Sequence, residues 1–288
     1  MEYLSEIALN SFISMALAED LGEGDHSSQG AIPESAQNKA QLIIKDEGIL
    51  AGVNLAERIF HKVDPKLTFS LLIKDGKPVK YGDIAFTVEG SSRSILIGER
   101  LALNCMQRMS GIATYTKHLS SLIEGTGAKL LDTRKTTPNF RMMEKWAVVI
   151  GGGHNHRYGL FDMVILKDNH VDFSGGIRQA ITNTKAYLKK IGKEDIKIEI
   201  ETRTLKEVEE ALEVGGIDRI MLDNMSNDTM RAAVQLINKQ YEVEASGGVN
   251  EKTIKGIADT GVDYISVGAL THSIKSLDMS LKAIHRLA

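Results

Sequence analysis

Apolar positions fall into two different registers along this chain. Up to about residue 95 they form short runs, "AQLIIKDEGILAG", "LTFSLLI" and "IAFTVEG", broken by text such as "KDGKPVKYGD". Short runs between Gly, Pro and Asp clusters predict strands joined by tight turns, a small α/β region of mostly antiparallel character. From Ile95 to Ile123 the residues Leu96, Leu103, Met106, Met109, Ile112, Ala113, Leu119 and Leu122 recur at three- and four-residue steps. That spacing predicts a long helix, interrupted near Gly111, that connects two halves.

After Gly127 the register changes. The runs "AKLLDT", "DMVILKDN", "IKIEIET", "DRIMLDN", "YEVEASGG" and "VDYISVGA" alternate with amphipathic segments such as "TLKEVEEALEVG" and "NEKTIKGIADTG", each closed by glycine. Strand, helix, strand, helix predicts a parallel sheet. The short connections favour an incomplete parallel α/β barrel, roughly one or two units short of a full one. Each run also stops on polar or glycine residues: Asp132 with Arg134 and Lys135, Lys167 with Asp168, Glu201, Asp223, Ser246 with Gly247 and Gly248, and Gly268. In such a barrel the C-terminal strand ends converge on one mouth, so six runs aim their functional groups at one place.

Composition narrows the classes. With 288 residues, 42% of them hydrophobic, the chain can bury a sizeable core. One cysteine, Cys105, precludes an intramolecular disulfide, and Met1 to Phe12 carries Glu2 and Glu6 where a secretory signal needs a basic start, so a reducing, cytoplasmic setting is expected. No apolar stretch approaches the roughly 20 residues of a membrane-spanning helix. A net charge of −3 supplies no global field for nucleic acid. Yet between Lys129 and His170 seven Lys/Arg face only four acids. A basic island in an acidic protein fits a polyanionic small molecule, although a solvated charged helix has the same composition.

Individual motifs sharpen this. In "DTRKTTP", Arg134 and Lys135 follow a strand, where a planar fork and a point charge together bind carboxylate or phosphate. In "GGGHNHRYG", Gly151 to Gly159, the glycines are read as letting a ligand approach bare backbone, with His156 and Arg157 as donors to an anion. His-x-His also suits zinc, but no companion Cys/His/Asp cluster of metal-ligand spacing accompanies it. Lys167 ends a strand; it pairs with a substrate carboxylate or, if desolvated, forms a Schiff base, or pairs structurally with Asp168 or Glu201. Glu201 and Asp223 end successive strands and suit a metal ion or a developing cation between them. "EASGGV" and "SVGAL" fall late in the barrel, where glycine-rich loops and a helix N-terminus form a phosphate cup. Cys105 reads as packing, and "EDLGEGDHSS" as a helix end and turn.

Taken together, "ERLALNCMQRMSGIAT", "LLDTRKTTPNFRMMEKWAVVIGGGHNHRYGLFDMVILKDNH", "EIET", "MLDNM", "EASGGV", "GVDYISVGALTHS" and "EDLGEGDHSS" closely resemble the quinolinate phosphoribosyltransferases, the carboxylating nicotinate-nucleotide pyrophosphorylases. The resemblance runs almost end to end. It implies an N-terminal α/β sandwich-like domain over residues 1–112, joined by a C-terminal tail, 273–288, and an incomplete α/β barrel over 113–272 carrying the active site. It implies a magnesium-dependent pentosyltransferase acting on quinolinate and phosphoribosyl pyrophosphate, in a homodimer or larger homo-oligomer with shared sites and no nucleic-acid or membrane partner. Quinolinate would be held by Arg134, Lys135, His156, Arg157 and Lys167, and by Arg100 from the partner. The phosphate would sit on Ser246, Gly247, Gly248, Gly268 and Ala269. Lys135, Lys167, Glu201 and Asp223 would be catalytic, with Glu201 and Asp223 also holding Mg²⁺. The alternatives are a phosphate-binding lyase or isomerase with Lys167 as Schiff-base former, and a non-catalytic paralogue that binds a phosphorylated ligand.

Overall fold

A computed structural model describes residues 3–284; Glu2 and residues 285–288 of the expected tail lie outside them. The chain opens with α1 (Glu6–Leu21), N-capped by Ser5 and ended at Gly22, whose φ is 48°, and α2 (His26–Ala31), whose first turn is tied to the Asp25 carboxylate by Ser28 N at 3.0 Å. "EDLGEGDHSS" is thus the helix end and turn read from sequence, with a second short helix behind it. Then come β1 (Gln37–Ile44), β2 (Gly48–Ile49), α3 (Val53–Val63), β3 (Thr68–Leu71), β4 (Pro78–Val79) and β5 (Ile84–Ser91). The long helix α4 (Ser92–Leu122) follows. It is continuous through Gly111, contrary to the expected interruption. Glycine is present there for close approach, since a Cβ would collide with the Lys275 carbonyl and with the Ile274 side chain.

The remainder alternates as its pattern predicts: β6 (Lys129–Leu131), α5 (Arg141–Ile150), β7 (Val164–Leu166), α6 (Asp168–Ser174), α7 (Ile177–Lys190), β8 (Ile198–Thr202), α8 (Leu205–Val214), β9 (Arg219–Asp223), α9 (Asn227–Ile237), β10 (Glu242–Ser246), α10 (Ile254–Ala258), β11 (Tyr264–Ser266), α11 (Ala269–His272) and β12 (Met279–Ala283). Among the described residues no helix is long and apolar enough to cross a membrane.

Two compact units result. The first holds the residues up to Lys117, Thr137–Gly152 and the described residues from Ser273. Its four-stranded antiparallel sheet has the order β12-β1-β5-β3, so the C-terminal segment supplies an edge strand, with Leu281 opposite Leu42. Alternation puts Ala40, Leu42 and Ile44 on the buried face of β1. The amphipathic α3 buries Leu55, Ala56, Ile59 and Phe60, and the Phe60 ring meets Phe69 and Phe86 at centroid distances of 6.1 and 5.9 Å. A single boundary at 112 leaves α5 with the barrel; in the structure α5 falls in the first unit, where Glu144 on α5 receives Arg108 of α4 at 2.9 Å.

The second unit, His118–Thr136 and Gly153–His272, is the incomplete barrel. Its six strands are all parallel, ordered β6-β11-β10-β9-β8-β7. The sequence neighbours β6 and β7 form the two ends, and the sheet is open between them. A bridge from Leu131 to His154 adds a short piece of chain beside β6. The register Glu201 to Met221, and Met221 to Glu244, aligns inward positions across β8, β9 and β10.

Candidate active site

Each barrel strand is short, so its last residues reach the mouth. Arg134 and Lys135 leave β6, His156 and Arg157 follow the piece beside it, Lys167 follows β7 as the N-cap of α6, and Ser246 ends β10. These residues line one cavity of about 270 Å³, with Ile165 and Met221 as apolar wall and Glu244 and Ser266 among its polar lining. Six expected site residues from four separate stretches are therefore brought together. The Arg157 guanidinium has its proton affinity lowered by burial and then by Arg134 nearby. Arginine stays charged under such crowding, so two adjacent cations in a half-buried wall favour an anion.

Lys167 Nζ donates to Glu201 Oε2 at 3.1 Å, and Glu201 Oε1 accepts from Asp168 N at 3.2 Å. The Lys167 side chain is 47% exposed and Glu201 only 7%. A solvated, ion-paired ammonium does not match the desolvated neutral amine that a Schiff-base lysine requires. Asp223 lies opposite Ser246 on β10 and shares the inward parity of Met221; its Oδ2 accepts from Asn224 Nδ2 at 2.7 Å.

The glycines divide by role. Gly247 and Gly248 have φ of 90° and 63°, and with Asn224, Ser226 and Lys252 they line a second cavity of about 420 Å³. A Cβ on Gly268 would press on Lys135 Cδ and on His272 Nε2, both at 3.1 Å, and Ala269 begins α11. The run at Gly151 behaves otherwise. Gly151 ends α5, and a Cβ there would meet the Ala113 carbonyl oxygen at 2.5 Å and Thr116 Cβ at 2.7 Å. It serves helix packing, and none of Gly151, Gly152 and Gly153 lines the cavity, which corrects the reading of that run as bare backbone for a ligand. Arg100 is exposed on α4 in the first unit and is not among the cavity's lining.

His156 also differs from its expected role as a donor to an anion. Its Nδ1 accepts from Arg157 N at 2.7 Å, and its Nε2 lies 3.0 Å from Glu199 Oε2 and 3.1 Å from Glu244 Oε2. Both ring nitrogens face protein. Beneath them Arg219 Nη1 donates to Glu244 Oε2 at 2.8 Å, and Ser266 Oγ donates to Glu244 Oε1. Asp132, wholly buried, accepts from His156 N at 2.8 Å and Asn155 Nδ2 at 2.6 Å. Burial, then repulsion from Glu244, pushes the Glu199 carboxyl up to about 7. Because Nδ1 is an acceptor, the proton these carboxylates hold is the one on Nε2.

Glu199, Glu244 and Arg219 were not singled out from the sequence. Their signal was available: in "IEIET" and "EVEAS" acids occupy every second position, so they share one face of a strand. His156, Glu199 and Glu244 bring their donor atoms within 4.8 Å of one another, close enough to hold a metal ion. A nitrogen ligand and the Arg219 cation beside Glu244 suit Mg²⁺ poorly, because that ion prefers oxygen donors and keeps several waters. Glu201 and Asp223 offer oxygen donors alone, the donor chemistry that ion prefers.

Two family profiles match. Quinolinate phosphoribosyl transferase, N-terminal domain, covers residues 25–110, and the C-terminal domain covers 112–282. The chain is 47% identical to "Quinolinate phosphoribosyltransferase [decarboxylating] 1b" of Nicotiana tabacum, over 97% of this chain and 83% of that one. It is 38% identical to the "Probable nicotinate-nucleotide pyrophosphorylase [carboxylating]" of Bacillus subtilis (strain 168), over 96% and 94%. Among solved structures, NadC from Streptococcus pyogenes superposes with a TM-score of 0.91 at 38% identity, covering 98% of this chain and 99% of that one. With both domains matched and these identities over nearly its whole length, the chain belongs to the quinolinate phosphoribosyltransferase family.

Proposed function

We propose that the protein transfers the phosphoribosyl group of phosphoribosyl pyrophosphate to quinolinate with decarboxylation, giving nicotinate mononucleotide, pyrophosphate and CO₂ for NAD biosynthesis. The observation that carries this reading is the cationic cavity wall of Arg134, Lys135, Arg157 and Lys167 at the barrel mouth. Quinolinate is a flat dianion, and its two carboxylates match two arginine forks and an ammonium. Arg134, Arg157 and Lys167 hold these carboxylates and aim the pyridine nitrogen at ribose C1. His156 braces the wall from behind.

The pyridine nitrogen is itself the nucleophile, so no side chain need be activated. As pyrophosphate departs, C1 becomes cationic, and the carboxylates of Glu201 and Asp223 stabilise that charge. The bond from C1 to nitrogen makes the ring cationic. When the carboxylate beside that nitrogen leaves as CO₂, the electron pair it leaves on the ring carbon is stabilised by the adjacent positive nitrogen, and the carbon then takes a proton from water. Catalysis in this scheme is positioning and electrostatics. Lys135, packed against Gly268, and the backbone at Ser246, Gly247, Gly248 and Ala269 receive the phosphate groups. Mg²⁺, held by Glu201 and Asp223, would supply charge neutralisation for the pyrophosphate. Arg100 enters the site of a second copy in a homodimer or larger assembly, and the enzyme works in the cytoplasm.

A coupled assay for nicotinate mononucleotide and CO₂ from the two substrates tests the reading. Formation of both products in equal amounts supports it. Absence of both, with Mg²⁺ present, refutes it.

A further inference from the structure

Two carboxylates with no exposed surface, Glu199 and Glu244, stand on barrel strands beside the substrate cavity, and Glu244 belongs to its lining. Taking such charges out of water is unfavourable, and apolar side chains of similar size fill barrel interiors without that penalty. Their arrangement is therefore informative. Both approach one atom, His156 Nε2, at 3.0 and 3.1 Å. Glu244 is itself fixed from two sides, by Arg219 Nη1 at 2.8 Å and by Ser266 Oγ. Arg219 is fixed in turn by Glu242, which accepts from Nε at 3.2 Å and Nη2 at 2.9 Å, and by stacking 4.2 Å from the centroid of the Tyr264 ring. The network runs across β8, β9, β10 and β11 and converges on one imidazole.

That imidazole touches the cavity wall through its other nitrogen. A ring whose Nε2 carries the proton has a bare Nδ1, and Nδ1 accepts from Arg157 N at 2.7 Å. The backbone on the far side of His156 is tied to Asp132, and Arg157 Nη1 donates to the Met163 carbonyl at 3.0 Å. Arg157 is thus held at its backbone by the ring and at one end of its guanidinium by the chain leading into β7.

We propose that Glu199 and Glu244 are positioning residues for quinolinate: by holding the Nε2–H form of His156 they fix Arg157 in the geometry that receives a carboxylate. The inference rests on the function proposed above and adds to it two buried carboxylates that act through His156. Its consequence is selective. Loosening the network should damage recognition of the pyridine diacid more than that of the sugar phosphate, because His156 and Arg157 line the cationic cavity whereas Gly247 and Gly248 line the second one.

The test is steady-state kinetics of Glu199→Gln and Glu244→Gln, with quinolinate and phosphoribosyl pyrophosphate varied separately and thermal unfolding recorded for each variant. The expected result is a rise in KM for quinolinate of about tenfold or more and a KM for phosphoribosyl pyrophosphate within about twofold of the wild type. A quinolinate KM within twofold in either folded variant overturns the proposal. An equal rise in both KM values, or loss of the unfolding transition in both variants, also overturns it, since the network would then serve the fold alone. Arg157→Ala, measured in parallel, separates the two levels. If it raises the quinolinate KM while the glutamine variants do not, only the positioning role fails. If it leaves that KM unchanged, the site assignment itself fails.

Discussion

Lys167 and Glu201 meet at 3.1 Å, one half-exposed and the other buried, so the pair already holds the geometry in which a bound carboxylate would join the ammonium. Removing the lysine strips a cation from both the ligand and Glu201. Lys167→Ala, and independently Arg134→Ala, should weaken quinolinate binding by about 2–5 kcal/mol, the range for truncating one partner of a hydrogen-bonded charge pair. Isothermal titration with quinolinate checks this, and wild-type affinity in both variants would remove the two residues from the site. Borohydride reduction in the presence of a carbonyl substrate should trap nothing on Lys167. A different residue, Cys105 on α4, shows what burial alone does. Its thiol is pushed up to about 12 by desolvation, so almost no thiolate exists near neutral pH. An aromatic disulfide reagent at pH 8 should leave the native protein unlabelled and react with one equivalent after denaturation. Rapid labelling of the native protein would show that the surrounding packing opens readily.

At the scale of elements, α5 ties together what the sequence presents as separate motifs. Glu144, wholly buried, accepts from Arg108 Nε and Nη2 at 3.1 and 2.9 Å, from Thr137 N at 3.1 Å and from Thr137 Oγ1 at 2.9 Å. Thr137 opens the segment of the first unit that carries α5, so this carboxylate fixes the start of that segment. Glu144→Ala should destabilise the protein by roughly 3 kcal/mol, the low end for breaking a buried pair because Arg108 can still reach water. Urea unfolding measures that loss, and a midpoint unchanged from wild type would sink it. The alternation of runs and amphipathic segments made the six barrel strands legible, because a parallel strand must be apolar and a covering helix must be two-faced. The cation cluster was legible for the same reason: strand ends are short and point one way. Packing was not. "GGGHNHR" reads as a ligand loop because glycine permits many things, and only the approach of Ala113 and Thr116 to Gly151 shows which one is used. Gly111 misled in the same manner. The acids of "IEIET" and "EVEAS" carried a strand-period signal, but their meeting with His156 and Arg219 depends on sheet register, which single runs do not encode.

The whole molecule raises a question that no single copy answers. Arg134, Lys135, Arg157 and Lys167 belong to the barrel unit and line its cavity, whereas Arg100 is exposed on α4 in the first unit. If Arg100 serves a neighbour's cavity, every site needs residues from two chains, and inactive variants should complement each other. In a symmetric dimer, mixing equal amounts of Arg100→Ala and Lys167→Ala chains and allowing full exchange makes about half of the dimers mixed. Each mixed dimer has one site built from Lys167 of the first chain and Arg100 of the second, both intact, and one site lacking both. About a quarter of all sites should then be whole, and kcat per chain should recover to about a quarter of the wild-type value. Crosslinking or native mass spectrometry confirms that mixed dimers have formed before the assay is read. Activity that stays at the level of the separate variants in verified mixed dimers would place Arg100 outside the site. Recovery near one quarter would require that the cavity is completed across the interface, because a self-contained site has no route from two damaged chains to one working centre.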